Sequence, residues 1–264
     1  MYYIDYHLHS FHSVDSQCPM DDLCMAAIEA GLDEIAITDH CDPTQRDPLS
    51  LSIYDAQAAL ADMQKMQEKY AGRLSIKRGV ELGQGHLYLQ AAKNIEALPY
   101  DYIIGSVHNP TGSLDLGVME YHLPCDDIFY LYFDALLKMI KNDHYDCVGH
   151  LDYPKRYASA AGYQFRESFY YDYLVSALKE IIAHGKGIEV NCSGLRQRVG
   201  RTLPSLYTVK LYRQLGGQII TVGSDAHHQK YVGSGIKEGY QLIQTAGFDY
   251  ITTFENRRPK FIKL

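Results

Sequence analysis

Two histidines separated by one residue stand at the end of the first apolar run of the chain. Residues 2–6 favour a β-strand, and His7-Leu8-His9 follows them directly. Because side chains alternate across a strand, His7 and His9 share one face while Leu8 occupies the other. Imidazoles at this spacing, about 6.5–7 Å between Cα atoms, can bind one metal ion at about 2.0–2.1 Å per nitrogen. Two polar residues at a strand end would show the same pattern, so the interpretation depends on further ligands.

Ionisable or polar side chains also end the other predicted strands. In chain order these residues are His7 and His9, Asp39 and His40, Glu81, His108, His150, Asn191, and Asp225 with His227. The carboxyl ends of the strands form one face of an α/β barrel, so we expect these residues to converge on one rim. Crowded imidazoles and carboxylates repel when ionised unless cations lie between them. The pattern therefore predicts a multinuclear metal site.

Short β-type runs alternate with helical patterns along the chain and predict an α/β fold. We expect strands near residues 34–38, 75–81, 102–107, 147–149, 187–190, 218–222 and 250–254, the last followed by a basic tail. Such alternation without a domain break favours a parallel sheet closed into a barrel, one domain over residues 1–264. An open doubly wound sheet is the alternative, but no glycine-rich phosphate loop follows the first strand.

Composition restricts the function classes. The 264 residues are 46% hydrophobic and 22% charged, which is typical of a soluble globular enzyme. A net charge of −7 without a long basic run argues against nucleic-acid binding. We expect no membrane span, no signal peptide and a cytoplasmic protein. Six cysteines without paired spacing indicate reduced thiols, with Cys41 and Cys192 as small buried hydrophobes.

The strand-end residues belong to longer motifs that resemble a known superfamily. The motifs are Asp5-Tyr6-His7-Leu8-His9-Ser10, Thr38-Asp39-His40, Gly79-Val80-Glu81, Gly105-Ser106-Val107-His108, Gly149-His150-Leu151-Asp152 and Gly223-Ser224-Asp225-Ala226-His227. Their order and spacing resemble those of the PHP (polymerase and histidinol phosphatase) superfamily. Arg156 and residues 189–196 are most similar to its monofunctional histidinol-phosphate phosphatases. The resemblance implies a distorted, TIM-like (β/α)7 barrel with a trinuclear metal site.

The resemblance also implies a ligand set. One metal would take His7, His9, Glu81 and Asp225; a second would share Glu81 and take His108 and His150; the third would take Asp15, His40 and His227. Some superfamily members have histidine where Asp15 stands here, and aspartate favours harder cations. Three divalent ions, Zn, Mn or Fe, are the expected cofactors.

The implied reaction is hydrolysis of L-histidinol phosphate to L-histidinol and phosphate in histidine biosynthesis, with a metal-bound hydroxide as nucleophile. Asp225, His227 and His40 are the expected catalytic residues, and either Asp225 or a metal-bound water would protonate the leaving alkoxide. Arg156 and Arg196 follow two strand ends and suit bidentate capture of phosphate. His228 is a further substrate-facing candidate, and Arg198 and Lys230 are weaker ones. A tyrosine such as Tyr153 or Tyr157 could stack on the substrate imidazole.

Two other functions stay open at this point. One is a PHP phosphoesterase that acts on nucleotides or another small phosphomonoester. The other is a non-catalytic metal-binding barrel, which predicts metal occupancy without phosphate release. The expected partner in the favoured hypothesis is a small phosphate monoester, with no nucleic acid and no membrane.

Overall fold

Seven parallel strand positions, one of them filled by two short strands, form a nearly closed barrel in the computed structural model. The structure describes residues 1–43, 54–113, 115–117, 125–142, 144–163 and 167–264. Its strands are β1 (Ile4–Leu8), β2 (Glu34–Ile37), β3 (His40–Cys41), β4 (Ser75–Gly83), β5 (Tyr102–Ser106), β6 (Cys147–Val148), β7 (Gly187–Asn191) and β8 (Ile220–Gly223). The short strands β2 and β3 pair with successive parts of β4 and together fill one strand position of the barrel. The predicted seven-stranded, TIM-like barrel is confirmed.

The first and last strands of the barrel, β1 and β8, meet at the rim that carries the candidate ligands. Leu8 pairs in parallel with Ala226, and the backbone N–H of His9 donates to the Ala226 carbonyl at 2.9 Å. Ala226 donates in turn to the His7 carbonyl at 3.4 Å. This contact brings the residues after β8 against His7 and His9.

Helices surround the barrel because its strands are apolar on both faces. They are α1 (Met20–Glu29), α2 (Ala56–Lys69), α3 (Leu89–Glu96), α4 (Cys125–Asn142), α5 (Pro154–Ala160), α6 (Tyr171–Ala183), α7 (Leu206–Gln214) and α8 (Ile236–Thr245). Every residue of β1, β2, β5, β7 and β8 is buried. The sequence did not predict the short helices α3 and α5, although Pro154 at the start of α5 is a typical first helical residue.

The predicted basic tail is in fact a strand, and this expectation was wrong. The strand β10 (Arg258–Lys263) pairs antiparallel with β9 (Tyr250–Glu255). Most of β10 is exposed, and its cations protect an edge strand from pairing with other chains, which is why it looks like a solvated tail in sequence. The inner strand β9 packs against the barrel, where Thr252 accepts from Ile220 N at 3.0 Å and Phe254 N donates to Tyr6 Oη at 3.0 Å.

Five cysteines in the described part of the chain are buried free thiols, including Cys41 and Cys192. Among the helices that the structure describes, none has both the length and the apolar composition that a membrane span requires.

Candidate metal centre

All nine predicted metal ligands lie on the rim at the carboxyl ends of the barrel strands. The centre of the group is Glu81, which is fully buried within β4. Its Oε2 lies 3.1 Å from His7 Nε2 and 3.6 Å from His9 Nε2. Its Oε1 lies 2.9 Å from His150 Nε2 and 3.2 Å from His108 Nε2. One carboxylate therefore contacts four imidazoles that lie on or just after three strands, an arrangement compatible with the predicted bridging role.

A second part of the cluster is more open to solvent. The Asp15 side chain is 52% exposed, and its Oδ2 lies 3.1 Å from His227 Nε2 and 3.6 Å from His40 Nε2. The ring of His9 stacks on that of His227 at 4.0 Å between centroids. Asp15, His40 and His227 thus lie together as predicted, and His9 joins them to the buried part.

The predicted three ligand sets form one continuous cluster in this structure. The cluster contains four overlapping groups of three residues, and within each group the candidate ligand atoms lie within 4.8 Å of one another. These groups are His7-His9-Glu81, His7-His150-Asp225, His40-Glu81-His108 and His9-His40-His227. His40 stands between two parts of the cluster, because its Nδ1 lies 3.0 Å from Glu81 Oε2 while its Nε2 faces Asp15.

The donor atoms fit divalent cations. His9 Nε2 and His40 Nδ1 are buried and form no hydrogen bond with any residue that the structure describes, although carboxylate oxygens of Glu81 lie within 3.6 Å of both. Nδ1 of His9 faces the Ser13 hydroxyl at 3.0 Å, so the lone pair of Nε2 is available on the side of the carboxylates. Buried nitrogens without partners are costly, and coordination to a cation would satisfy them.

Two candidate ligands have backbone conformations that non-glycine residues rarely adopt. His150 has φ of 22° and Asp225 has φ of 54°. Such strain accumulates where the surrounding structure must hold a functional side chain in place. Here it turns both side chains inward just after β6 and β8.

Electrostatics within the cluster keep its carboxylates ionised. Burial alone would raise the pKa of Glu81, but the imidazoles of His7, His40 and His108 hold it well below the usual value. Asp225 behaves in the same way, since Arg156 and His7 outweigh its burial and lower its pKa. An ionised Asp225 can coordinate a cation or accept a proton, and in this state it carries no proton to donate.

The imidazoles respond to burial and to their neighbours in opposite directions. Burial opposes protonation of His7, yet Glu189, Glu81 and Asp225 raise its pKa well above the usual range. His9 has a lowered pKa, because burial and the neighbouring His227 and His40 disfavour its charged form. A neutral His9 is the form that can bind a metal.

Three polar contacts to the outer ring nitrogens were not foreseen from the sequence. His7 Nδ1 lies 2.7 Å from Glu189 Oε1, and His108 Nδ1 lies 3.0 Å from Asp42 Oδ1. His9 Nδ1 contacts Ser13 as described above. Strand alternation places Glu189 on the same face as Asn191 and could have identified it. Asp42 has no such signal, since it follows a two-residue strand.

The two predicted phosphate-binding arginines border a cavity beside Asp225. Arg156 Nη2 donates to Asp225 Oδ2 and to Ser193 Oγ, each at 2.6 Å, and Arg196 Nη2 donates to the Asp225 carbonyl at 2.9 Å. The cavity measures about 290 Å³ and is lined by Arg156, Ser193, Arg196, Gln197, Asp225, His227 and Tyr231. Within the described residues, Arg156 Nε, Arg196 Nη1 and Gln197 Oε1 are buried atoms without a hydrogen-bond partner. Residues that line the cavity thus carry buried donors and an acceptor without partners, next to the candidate metal centre.

Other predicted substrate contacts lie elsewhere. His228 is exposed, its side chain accepts from Lys230 N at 3.3 Å, and it does not line the cavity. Arg198 and Lys230 are also exposed and outside its lining. Tyr153 is buried and packs on the protein itself, with its ring 4.6 Å from that of His150 and 5.1 Å from the Arg156 guanidinium carbon. Tyr153 therefore supports the site instead of stacking on a substrate.

Comparisons with known proteins agree with this geometry. The PHP domain family model matches residues 5–193. A curated protein of Clostridium acetobutylicum, named probable histidinol-phosphatase, is 30% identical over 267 residues, covering 97% of this chain and 98% of that protein. The histidinol-phosphatase of Lactococcus lactis is 28% identical over 270 residues, covering 97% and 95%.

One solved structure resembles the barrel over almost its full length. It is the histidinol phosphate phosphatase of Lactococcus lactis, complexed with zinc, L-histidinol and phosphate. The TM-score is 0.84 at 24% sequence identity, with 98% of each chain covered. This likeness supports the fold.

Proposed function

The chain belongs to the PHP domain family, and on that premise we propose that it is a metal-dependent phosphomonoesterase that hydrolyses L-histidinol phosphate to L-histidinol and phosphate. Curated relatives that span nearly the whole chain have the name histidinol-phosphatase. The substrate places the reaction within histidine biosynthesis.

One observation carries the proposal. A cluster of imidazoles around Glu81, with buried nitrogens that have no hydrogen-bond partner in the described part of the chain, lies beside a cavity lined by Arg156 and Arg196. Ligands for cations and donors for a phosphate group are thus adjacent. A barrel that only stored or bound metal would need the first feature and not the second.

The residues assigned to three divalent cations are those of the predicted sets. His7, His9, Glu81 and Asp225 would hold one, Glu81 with His108 and His150 a second, and Asp15, His40 and His227 the third. Bound divalent ions supply an activated water and withdraw charge from phosphoryl oxygens. Imidazole and carboxylate donors suit Zn, Mn and Fe.

Arg156 and Arg196 would bind and orient the phosphate group. Asp225 and Ser193 hold Arg156 Nη2 in place, and its buried Nε has no hydrogen-bond partner among the described residues. Arg196, the second arginine, would contribute its Nη1, a buried donor without a hydrogen-bond partner among the described residues. Charge-assisted hydrogen bonds of this kind are short, strong and specific for planar donors.

Gln197 would recognise the rest of the substrate. Gln197 lines the same cavity, and its buried Oε1 has no hydrogen-bond partner among the described residues. L-histidinol carries an ammonium group and an imidazole, both of which can donate to such an acceptor. A phosphate ester without these donors would leave the buried amide unsatisfied, which costs affinity.

A panel of phosphate monoesters tests this proposal. The metal-loaded protein should hydrolyse L-histidinol phosphate with a higher kcat/KM than nucleotides or p-nitrophenyl phosphate. Equal or faster turnover of nucleotides would contradict the substrate and favour a different phosphomonoesterase. Full metal occupancy without any phosphate release would indicate a non-catalytic barrel.

A further inference from the structure

Two of the candidate ligand histidines each contact a carboxylate outside the ligand set, one of them buried (Glu189) and the other 26% exposed at its side chain (Asp42). We propose that Asp42 and Glu189 are positioning residues, which fix the tautomer and the ring orientation of His108 and His7 so that both present Nε2 to the cations at Glu81. The proposal rests on the metal site of the proposed function and adds the residues that preorganise it.

Asp42 approaches His108 from the side away from Glu81. Its Oδ1 and Oδ2 lie 3.0 and 3.2 Å from His108 Nδ1, while His108 Nε2 lies 3.2 Å from Glu81 Oε1. A carboxylate oxygen only accepts, so Asp42 holds a proton of His108 on Nδ1, and with a cation bound Nε2 is the ring nitrogen left to coordinate it. Asp42 Oδ2 also lies 3.3 Å from His40 Nδ1 and so borders a second ligand.

Glu189 does the same for His7 from the opposite part of the barrel. Its Oε1 lies 2.7 Å from His7 Nδ1, and His7 Nε2 lies 3.1 Å from Glu81 Oε2. Its other oxygen accepts from the backbone N–H of His150 at 2.9 Å, where the strained φ of 22° occurs. Glu189 therefore positions two ligands, one through the ring and one through the backbone.

Each carboxylate occupies space that a glycine leaves open. A Cβ on Gly83 would stand 1.6 Å from Asp42 Oδ1, and one on Gly223 would stand 2.5 Å from Glu189 Oε1 and 2.4 Å from His7 Cβ. Neither glycine has a positive φ, so conformational freedom does not explain them. Their common property is the room that they give to a neighbouring carboxylate.

Carboxylate partners of this type raise the basicity of a ligand histidine and orient its ring, and their loss costs about 10–100-fold in metal affinity. We therefore expect the zinc-loaded Asp42→Ala protein to lose zinc to a competing chelator with an apparent affinity lower by about 10–100-fold. Asp42→Asn keeps one oxygen acceptor for His108 Nδ1–H and should restore most of the affinity. Gly83→Ala, which displaces the carboxylate, should resemble Asp42→Ala.

Ring nitrogen NMR separates positioning from a general loss of structure. In the zinc-loaded protein labelled with ¹⁵N-histidine, His108 should show a protonated Nδ1, and this signal should shift or vanish in Asp42→Ala and return in Asp42→Asn. Glu189→Gln should affect His7 in the same manner, since an amide cannot accept from both His7 and His150. The matched control is Glu96→Ala, which removes the carboxylate 2.7 Å from His144 Nδ1 away from the site and should change neither readout.

The outcomes are distinguishable. Wild-type protein that binds no zinc would overturn the proposed metal site itself. Zinc retention in Asp42→Ala and Glu189→Gln equal to that of the wild type, with unchanged His108 and His7 signals, would overturn the positioning role alone.

Discussion

At the scale of single residues, Glu81 lies between two pairs of imidazoles in the candidate metal centre. Its two oxygens face different imidazoles, with His7 and His9 on one side and His108 and His150 on the other. Both carboxylate oxygens of Glu81 make these contacts, and a side chain with a single acceptor oxygen could not make both sets. Changes at this residue should therefore affect more than one cation.

Replacing Glu81 or His7 with alanine should lower metal content and turnover together. The effect on turnover should exceed the roughly 10–100-fold typical of residues that only support ligands. Elemental analysis alongside phosphate release measures both quantities. The control is His144→Ala, a histidine that pairs with Glu96 outside the centre; retained activity at full stoichiometry in either site variant would contradict the assignment.

Arg196→Ala should mainly weaken substrate binding. The loss of a charge-assisted hydrogen bond, about 1.5–3 kcal/mol, predicts a KM higher by about 10–100-fold. Arg198→Ala removes an exposed cation two residues away that does not line the cavity, and it should leave KM close to that of the wild type. Steady-state kinetics in which Arg196→Ala changes neither KM nor kcat would exclude it from phosphate binding.

Sequence reasoning located the ligands better than their support. The convergence of His7, Glu81 and Asp225 on one rim could be predicted because all three have ligand-type side chains at or near strand ends. The role of Asp42 depends on the void at Gly83, which is a property of packing between β3 and β4 and leaves no pattern in the sequence. Gln197 lies in an irregular loop after β7, where no periodicity indicates which side chains turn inward.

At the scale of elements, the contact between β1 and β8 brings the first candidate ligands in the sequence, His7 and His9, next to the last ones, Asp225 and His227. Gly223, the last residue of β8, lies against His7 and Glu189. The barrel elements were predictable from alternating apolar runs. The strand β10 and the helices α3 and α5 were not, because they are short or exposed and owe their form to tertiary packing.

Gly223→Ala should therefore damage stability and metal binding at once. Overpacking at a site where the added Cβ meets His7 Cβ at 2.4 Å should cost about 1–3 kcal/mol. Urea denaturation measures the first effect and zinc retention the second. Gly85→Ala serves as the control, since its Cβ would meet Ala92 and Leu82 only at 3.8 Å; a Gly223→Ala protein as stable as this control would contradict the packing argument.

At the scale of the whole molecule, Asp101 joins the terminal hairpin to the barrel. Its carboxylate accepts from Arg78 N and Nε, each at 3.1 Å, and from Asn256 N at 3.1 Å. Partial burial would raise the pKa of Asp101, but these donors outweigh it and lower the pKa. A carboxyl with a lower pKa in the folded state stabilises the fold above its unfolded pKa and loses that contribution as the pH falls through the folded value.

Asp101→Asn should consequently reduce the free energy of unfolding by about 1–2 kcal/mol near neutral pH. The difference from the wild type should narrow as the pH falls below about 4, where the unfolded carboxyl takes up its proton. Urea denaturation at several pH values measures this, with the exposed Glu29→Gln as the control. A difference that stays constant down to the most acidic pH would show that the ionised carboxylate contributes nothing.

The overall charge also bears on function. The chain has a formal charge of −7, which would repel a phosphate ester at long range. Divalent cations at the rim would offset most of this charge and make the local potential positive where the substrate enters. Metal loading should thus be required for binding as well as for chemistry.

Titration of chelator-treated protein with a divalent metal, followed by phosphate release from L-histidinol phosphate, shows whether the rim cluster supports catalysis through bound metal. We expect no measurable turnover without metal, and recovery that saturates as about three equivalents of Zn²⁺ or Mn²⁺ bind to the rim cluster. Phosphate release by the metal-free protein at the rate of the loaded protein would contradict this expectation.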